Sequence, residues 1–228
     1  EFKVMLDKID VLVYENYEKQ LLIKDTKYRM LQAQINPHFL YNTLNAIHWM
    51  IRAKKNETAG KMIVELGILL RASFDENPYT TVEKEIDMLK SYIEIQRQRY
   101  EDRAEFIIKE AGNPGEYIMP RMILQPLVEN AIFYGADMMA EICYIDITVT
   151  EEAKSILFEV KDNGPGIKPE ELQKVRNFTV KPKGHGIGIK NIYERLRITY
   201  DVFDFTIDSE EGQGTTIRIR VPKQKAEE

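Results

Sequence analysis

Histidine is scarce in this chain, three among 228 residues, and one of the three stands where local rules are broken. His38 follows Pro37 inside an otherwise helical run, Leu31-Gln32-Ala33-Gln34-Ile35-Asn36-Pro37-His38-Phe39-Leu40-Tyr41-Asn42. Within a helix Pro37 removes an N–H and clashes with the carbonyl of Ala33, at a cost of about 3 kcal/mol. A neutral imidazole is nucleophilic near neutral pH. The kink therefore points to a nucleophile at a bend or to a bend alone, and these residues leave both open. Asn42 lies one turn beyond His38 on the same face. His48, beside Trp49, reads as a packing or surface residue, and His185 as the variable position of a glycine cluster.

Glycines gather in three places: Asp162-Asn163-Gly164-Pro165-Gly166-Ile167 after a strand-like run, Gly184-His185-Gly186-Ile187-Gly188 opening a helical run, and Gly212-Gln213-Gly214-Thr215 before the last strand-like run. Glycine lets a ligand approach the backbone, and a glycine-rich entry to a helix offers free N–H groups to phosphate. Taken singly, each cluster is equally well a tight turn. There is no GxxxxGK[ST] loop, and the Gly184 cluster follows a Lys/Pro loop rather than a strand, which argues against a dinucleotide fold. Upstream, Pro126-Leu127-Val128-Glu129-Asn130-Ala131 sets a carboxylate and an amide side by side in an apolar stretch. The neutral oxygen of Asn130 suits a Mg²⁺ held mainly by phosphates.

The elements that must position these groups divide in two. The first hundred residues are helical in pattern. Tyr17, Leu21, Tyr28, Leu31 and Ile35 make a heptad-like seam, with one polar interruption at Lys24. A helix over residues 8–53 is too long for an ordinary globular helix, which favours a dimerising helix over one packed on its own domain. Lys54-Lys55-Asn56-Glu57 breaks it, with Asn56 as the expected N-cap. A second helix carries Met62, Leu66, Leu69 and Leu70 and ends at Asp75-Glu76-Asn77-Pro78. A third, from Thr81 to about Tyr100, carries Ile86, Leu89, Tyr92, Ile93 and Ile95. After Arg103, strand-like runs (105–109, 142–149, 156–160, 203–207, 215–221) alternate with helical ones (120–134, 169–177, 187–200). Pro120 and Pro169 are expected in the first turns of their helices. The expected division is residues 1–103 and 104–228.

Composition bounds the function. An apolar fraction of 43% with 30% charged residues is that of a globular protein, and a net charge of −5 without a basic stripe gives no nucleic-acid partner. The single cysteine, Cys143, reads as an inert core residue and points to a reducing compartment. No apolar run reaches the roughly 18 residues needed to span a membrane, and there is no secretory signal. A cytoplasmic location is expected. The chain does not begin with Met, so Glu1-Phe2 reads as a cloning remnant and the native protein is expected to continue upstream.

The ordered set of Asn130, Asp162-x-Gly164-x-Gly166, Gly184-x-Gly186-x-Gly188 and Gly212-x-Gly214-Thr215 resembles the Bergerat-type ATP-binding domain shared by gyrase-type ATPases, heat-shock chaperones and histidine kinases. Gln34-Ile35-Asn36-Pro37-His38-Phe39-Leu40-Tyr41-Asn42 closely resembles the phosphoacceptor motif of LytS/YesM-type sensor histidine kinases, and the likeness runs over residues 28–222. The resemblance implies a fold: a helical hairpin forming a dimeric four-helix bundle, followed by an α/β sandwich. It also implies roles. Asn130 would bind Mg²⁺, Asp162 would accept a hydrogen bond from the adenine amino group, and Gly164 and Gly166 would let the base lie against the backbone. Gly184, Gly186 and Gly188 would cradle phosphate, with Thr215 supporting adenine recognition. Residues 167–183 would be a mobile lid, where Lys181 and Lys183 are phosphate contacts or solvated loop charges. His38 would take the γ-phosphoryl of ATP and pass it to an Asp on a response regulator receiver domain. Asn42 would position water for dephosphorylation of that partner. The whole protein would be a homodimeric membrane receptor, with a membrane sensor segment upstream.

Two departures bear on activity. Many histidine kinases place an acidic base after the acceptor; here Phe39 stands there, as in the LytS/YesM pattern, and Glu129 is the candidate base. The family's Ala-Ile-Lys-His-Gly is here Ala131-Ile132-Phe133-Tyr134-Gly135, which removes a cation from the phosphate end and implies weaker nucleotide binding or slower turnover. Two alternatives arise, an impaired nucleotide-binding scaffold and a gyrase- or chaperone-type ATPase. The second is disfavoured because Pro126 occupies the position where hydrolase members carry a water-activating carboxylate.

Overall fold

A computed structural model describes residues 37–75, 77–177 and 187–225. The heptad seam Tyr17–Ile35 lies outside the described residues, as do Lys181, Lys183, Gly184, His185 and Gly186. Helix α1 (Pro37–Arg52) buries Phe39, Thr43, Ile47 and Met50, a helical spacing, and Thr43 hides its hydroxyl by donating to the Phe39 carbonyl at 2.8 Å. The helix closes with paired backbone bonds, Lys55 N–H to Met50 O at 2.9 Å and Lys54 N–H to Ile51 O at 3.0 Å. This is a Schellman closure with Lys54, at φ 62°, in the left-handed position usually held by glycine. Helix α2 (Asn56–Ser73) buries Ala59, Met62, Leu66 and Leu69 and packs on both α1 and the helix that follows. Asn56 is not its N-cap: it is the first helical residue, and Lys55 holds the cap position without a side-chain bond. The closing turn of α1 already sets the chain direction there.

Helix α3 (Val82–Tyr100) starts at Thr81, whose hydroxyl accepts from Lys84 N at 3.3 Å. Its buried residues, including Ile86, Leu89, Tyr92, Ile93 and Ile95, go nearly all round, so it is covered on more than one side. The hairpin covers one flank and the mixed domain another, and one continuous core runs from Phe39 to Val221.

Two short strands that the patterning does not announce tie α3 to the mixed domain. β1 (Tyr79–Thr81) pairs antiparallel with β3 (Ile118–Pro120), Thr81 opposite Ile118. Pro120 therefore closes a strand and is not in the first turn of α4 (Leu124–Tyr134). Between them the chain turns sharply, with Met122 at φ 57°. The turn is held by Glu85 of α3, 2% exposed, whose carboxylate accepts from the N–H groups of Met122 (3.0 Å), Ile123 (2.8 Å) and Leu124 (3.0 Å). Burial raises the Glu85 carboxyl above its usual value, against the pull of these donors and of Arg195 nearby. Arg195 itself donates to the carbonyls of Arg121 and Met122.

The sheet has five strands, β2 (Ala104–Ala111), β4 (Cys143–Glu151), β5 (Ser155–Asp162), β6 (Asp204–Glu210) and β7 (Gly214–Pro222), in the order β2-β4-β5-β7-β6. Only β2 and β4 run parallel. Strict alternation sends Ile145, Ile147, Val149, Ile156, Phe158, Val160, Ile217, Ile219 and Val221 to one face. That face is covered by α4, α5 (Pro169–Arg176) and α6 (Ile187–Thr199), through residues such as Leu127, Leu172, Ile192 and Leu196. The other face is polar, with Arg218 bridging Glu159 and Asp208 and Arg220 bridging Glu152 and Asp204. The helical part followed by an α/β sandwich agrees with the expected fold class. The expected division at residue 103 falls in the turn Glu101–Arg103 that joins α3 to β2.

Replacing Glu85 with Ala strips an acceptor from three buried N–H groups and a countercharge from Arg195. The expected loss is on the order of 3–5 kcal/mol by urea denaturation, and Glu85→Gln, which keeps one acceptor oxygen, loses less. A loss below about 1 kcal/mol for the alanine variant would show that α4 is anchored by other means.

Candidate functional site

Asp162 ends β5, and its Oδ1 accepts two backbone bonds, from Gly164 N at 2.8 Å and Thr215 N at 3.2 Å. The first and third glycine clusters are thus joined through one carboxylate. Burial is the main influence on this group and pushes its pKa up to about 6, although both N–H groups pull the other way. The glycines around it are required sterically. A Cβ on Gly166, at φ 67°, would run into the Glu210 carbonyl, and one on Gly214, at φ 96°, into the Asp162 carbonyl.

Ser209, which nothing in the sequence singles out, completes this corner. Its Oγ accepts from Ile167 N at 2.9 Å, donates to Gly214 O at 2.9 Å and lies 2.9 Å from Thr215 Oγ1. Asn163 is a second unforeseen stitch, accepting from Tyr144 N at 2.7 Å and donating to Ile142 O at 3.0 Å. Both act across the sheet, at sequence distances where no local pattern marks them.

On α4, Asn130 is buried and its Nδ2 has no hydrogen-bond partner among the described residues. Gly188, at the start of the described part of α6, faces it: a Cβ there would stand 3.2 Å from Pro126 Cβ and 3.8 Å from Asn130 Nδ2. This geometry gives Gly188 a close-packing role between α4 and α6, and gives Pro126 a partner. Pro126 lies in the first turn of α4, where it interrupts no helical bond. Glu129 accepts from Gln125 Nε2 at 2.9 Å, and its charge is among the causes that raise the Tyr92 hydroxyl of α3, after burial. Phe133 and Tyr134 meet edge to face at 5.0 Å near the end of α4. Beyond them Gly135 abuts Cys143, whose buried thiol is pushed up to about 11.

Half of the expected lid is a fastened helix. In α5, Leu172 is buried and Arg176 donates to Ile207 O from Nε at 2.9 Å and from Nη2 at 2.6 Å. The first part of the span expected as a lid is thus ordered as a helix tied to β6. Residues 178–183 of that span lie outside the described residues.

His38 and Asn42 form their own pair on α1. Asn42 Nδ2 lies 3.2 Å from His38 Nε2 and 3.3 Å from Nδ1, in an exposed setting. The neighbouring Phe39 is buried, its ring 5.2 Å from that of Tyr92. This explains an aromatic residue in the place of an acidic one, since the position faces the core. Tyr92 in turn accepts from Gln96 Nε2 at 2.5 Å. Tyr92 thus touches the residue after His38 and lies within electrostatic reach of the residue before Asn130. His48 and Trp49 are exposed, ring to ring at 5.6 Å.

No group of three or more His, Cys, Asp or Glu residues among those described could hold a metal ion. A hard cation here would need ligand oxygens besides Asn130. The orphaned amide of Asn130, the partly free carboxylate of Asp162 and the glycines with no room for a Cβ fit a nucleotide.

A family model described as histidine kinase matches residues 26–104, and one described as histidine kinase-, DNA gyrase B-, and HSP90-like ATPase matches residues 115–225. The sensor histidine kinase YesM of Bacillus subtilis (strain 168) is 39% identical over 223 residues, 97% of this chain and 37% of that protein. The sensor protein LytS of Bacillus anthracis is 31% identical over 211 residues, 91% of this chain and 36% of that protein. The chain thus spans a little over a third of the length of these relatives. The nucleotide-free catalytic domain of the histidine kinase ThkA shares the fold, with a TM-score of 0.51 at 20% identity over 64% of this chain and 98% of that one. With both models matched in order along the chain and YesM aligned over nearly all of it, the chain belongs to the histidine kinase family, among relatives of the LytS/YesM type.

Proposed function

We propose that the chain moves the γ-phosphoryl group of ATP to His38 within a homodimer, and from there to an Asp of a response regulator receiver domain. The observation that carries this is one core holding two sites: a nucleotide-shaped corner around Asp162 and Asn130, and an exposed imidazole whose neighbour Phe39 is fixed in the same core. In the transfer a histidine nitrogen forms a bond to phosphorus, the bond from phosphorus to the ADP oxygen breaks, and the ring proton leaves to a base. Glu129 is the proposed base. Asn42 holds the ring of His38 and is the proposed positioner of water when the regulator is dephosphorylated. Mg²⁺, taken by Asn130 and the phosphates, would neutralise charge on the transferring group.

The free oxygen of Asp162 would meet the adenine amino group, with Gly164, Gly166 and Thr215 shaping its surroundings. Gly184, Gly186 and Gly188 would line the phosphates. The division of labour between an acceptor part through residue 103 and a nucleotide-binding part from residue 104 belongs to this proposal. So does a cytoplasmic position below a membrane sensor segment; no helix among the described residues is long and apolar enough to cross a membrane. Support for a dimer comes from the hairpin surface. Tyr41, Leu44, Trp49 and Ile51 of α1 and Ile63, Val64 and Ile68 of α2 are all exposed, an apolar face suited to a second copy in a four-helix bundle.

The decisive experiment is labelling with γ-radiolabelled ATP. Wild type is expected to gain an acid-labile, base-stable label that His38→Ala lacks. A label kept at wild-type level in His38→Ala would remove His38 as acceptor.

Asp162 gives a second outcome. Its folded pKa of about 6 lies above its ordinary value of 3.8, so its contribution to stability is fully present only at low pH and is lost as pH rises through about 6. At neutral pH the ionised group destabilises the fold by on the order of 2 kcal/mol. Asp162→Asn, which keeps Oδ1 as acceptor, should therefore be at least as stable as wild type at about pH 7.5 while binding nucleotide poorly. In wild type, protonation turns the free oxygen into a donor. ADP affinity by calorimetry is expected to fall about tenfold between about pH 7.5 and pH 5. Equal affinity at both would take Asp162 out of adenine recognition.

A further inference from the structure

Arg121 lies outside every motif of the nucleotide corner, yet three partners hold its guanidinium and two more its main chain. It is 8% exposed. Its Nη2 donates to Ala72 O at 2.8 Å, and its Nη1 donates to Asn77 O at 3.4 Å and pairs with Asp75 Oδ2 at 2.6 Å. Ala72 lies in the last turn of α2, so the guanidinium adds a donor to a carbonyl that also accepts from Asp75 N and meets the negative end of the helix dipole. The main chain of Arg121 is held as firmly. Its N–H donates to Pro78 O at 3.1 Å, its carbonyl accepts from Arg195 of α6, and the next residue, Met122, sits in the left-handed region with its N–H on Glu85.

One residue thus joins the end of the hairpin that carries His38 to α6, the helix that follows the second glycine cluster. The connection from α2 to β1 is itself stiffened, Asp75 Oδ1 accepting from Asn77 N at 3.1 Å and Asn77 Oδ1 from Tyr79 N at 2.9 Å. Packing there is incomplete, although Leu69 of the same stretch is buried. A cleft of about 770 Å³ lies between α2 and α3, walled by Ile68 and Ala72 on one side and Lys84, Met88 and Ser91 on the other. Beside the buried Leu69, polar contacts from Arg121 tie the end of α2 to the turn before α4.

We propose that Arg121, with Asp75 as its partner, is a positioning residue for phosphoryl transfer to His38: the pair fixes the angle of the acceptor hairpin against the nucleotide-binding half. The proposal rests on His38 being the acceptor. Phosphoryl transfer requires the nucleophile, phosphorus and leaving oxygen in line, and a displacement of about 1 Å is enough to slow such a step by as much as 10²-fold. Neither residue touches the nucleotide corner, so binding and transfer should separate.

The test uses the full chain, with ADP affinity by calorimetry and the rate of His38 phosphorylation at saturating ATP. Arg121→Gln is expected to slow transfer about tenfold with the ADP Kd within about twofold of wild type, Arg121→Lys to recover part of the rate, and Asp75→Asn to slow it about threefold. The double variant Arg121→Gln/Asp75→Asn should be little slower than Arg121→Gln alone, because both remove one interaction. Asp75 is largely exposed and Asn keeps its bond to Asn77 N, so Asp75→Asn decides the matter if Arg121→Gln fails to fold. An unchanged rate overturns the proposal. So does a rate that rises, which would make the pair a lock, or a rate and affinity that fall together, which would make it a general structural support. A wild type that never labels His38 is a different result and refutes the acceptor assignment instead.

Discussion

A carboxylate taken out of water needs donors, and Glu85 finds three in consecutive backbone N–H groups, those of Met122, Ile123 and Leu124. The first turn of any helix leaves such groups unpaired. Supplying their acceptor from another helix does two things together: it starts α4 at a defined residue and fixes the direction in which α4 leaves α3. Asn130 and Glu129 ride on α4, and Phe39 packs on Tyr92 of α3. The relative placement of the two chemical sites therefore passes through Glu85. Arg195 brings α6 to the same point.

With the adenine role proposed for Asp162, function and stability pull apart in one residue. Asp162 satisfies two backbone donors with one oxygen and keeps the other uncommitted, in a place where burial opposes its charge. A carboxylate serving only the fold would gain from engaging both oxygens. Ser209 ties Ile167, Gly214 and Thr215 of the corner together. Close contacts at Gly166 and Gly214 with the backbone then make the corner intolerant of side chains.

What could be read from the sequence were features written in short-range order. Short strand-like runs marked each of the five long strands, Thr81 marked the start of α3, and the order of the glycine clusters marked the nucleotide fold. What could not be read was set by partners far along the chain. β1 and β3 are three residues each and exist because they face one another, so Pro120 looked like a helix start when it closes a strand. No local pattern marks Glu85, since its three donors lie nearly forty residues away. Asn56 looked like a cap, but Lys54 had already turned the chain through a left-handed conformation that lysine rarely adopts. Phe39 was legible as a departure from the acidic residue of other kinases, and its burial supplies the reason.

That burial also sets the rotational phase of α1. Successive residues of a helix point about 100° apart, so with Phe39 seated on Tyr92 the ring of His38 is turned out to solvent, and the two cannot both face inward. Twisting α1 far enough to bring His38 round would lift Phe39 out of the core, at roughly 2 kcal/mol, a population ratio of about thirtyfold. A twist of α1 that turned His38 inward would first have to unseat Phe39 from Tyr92.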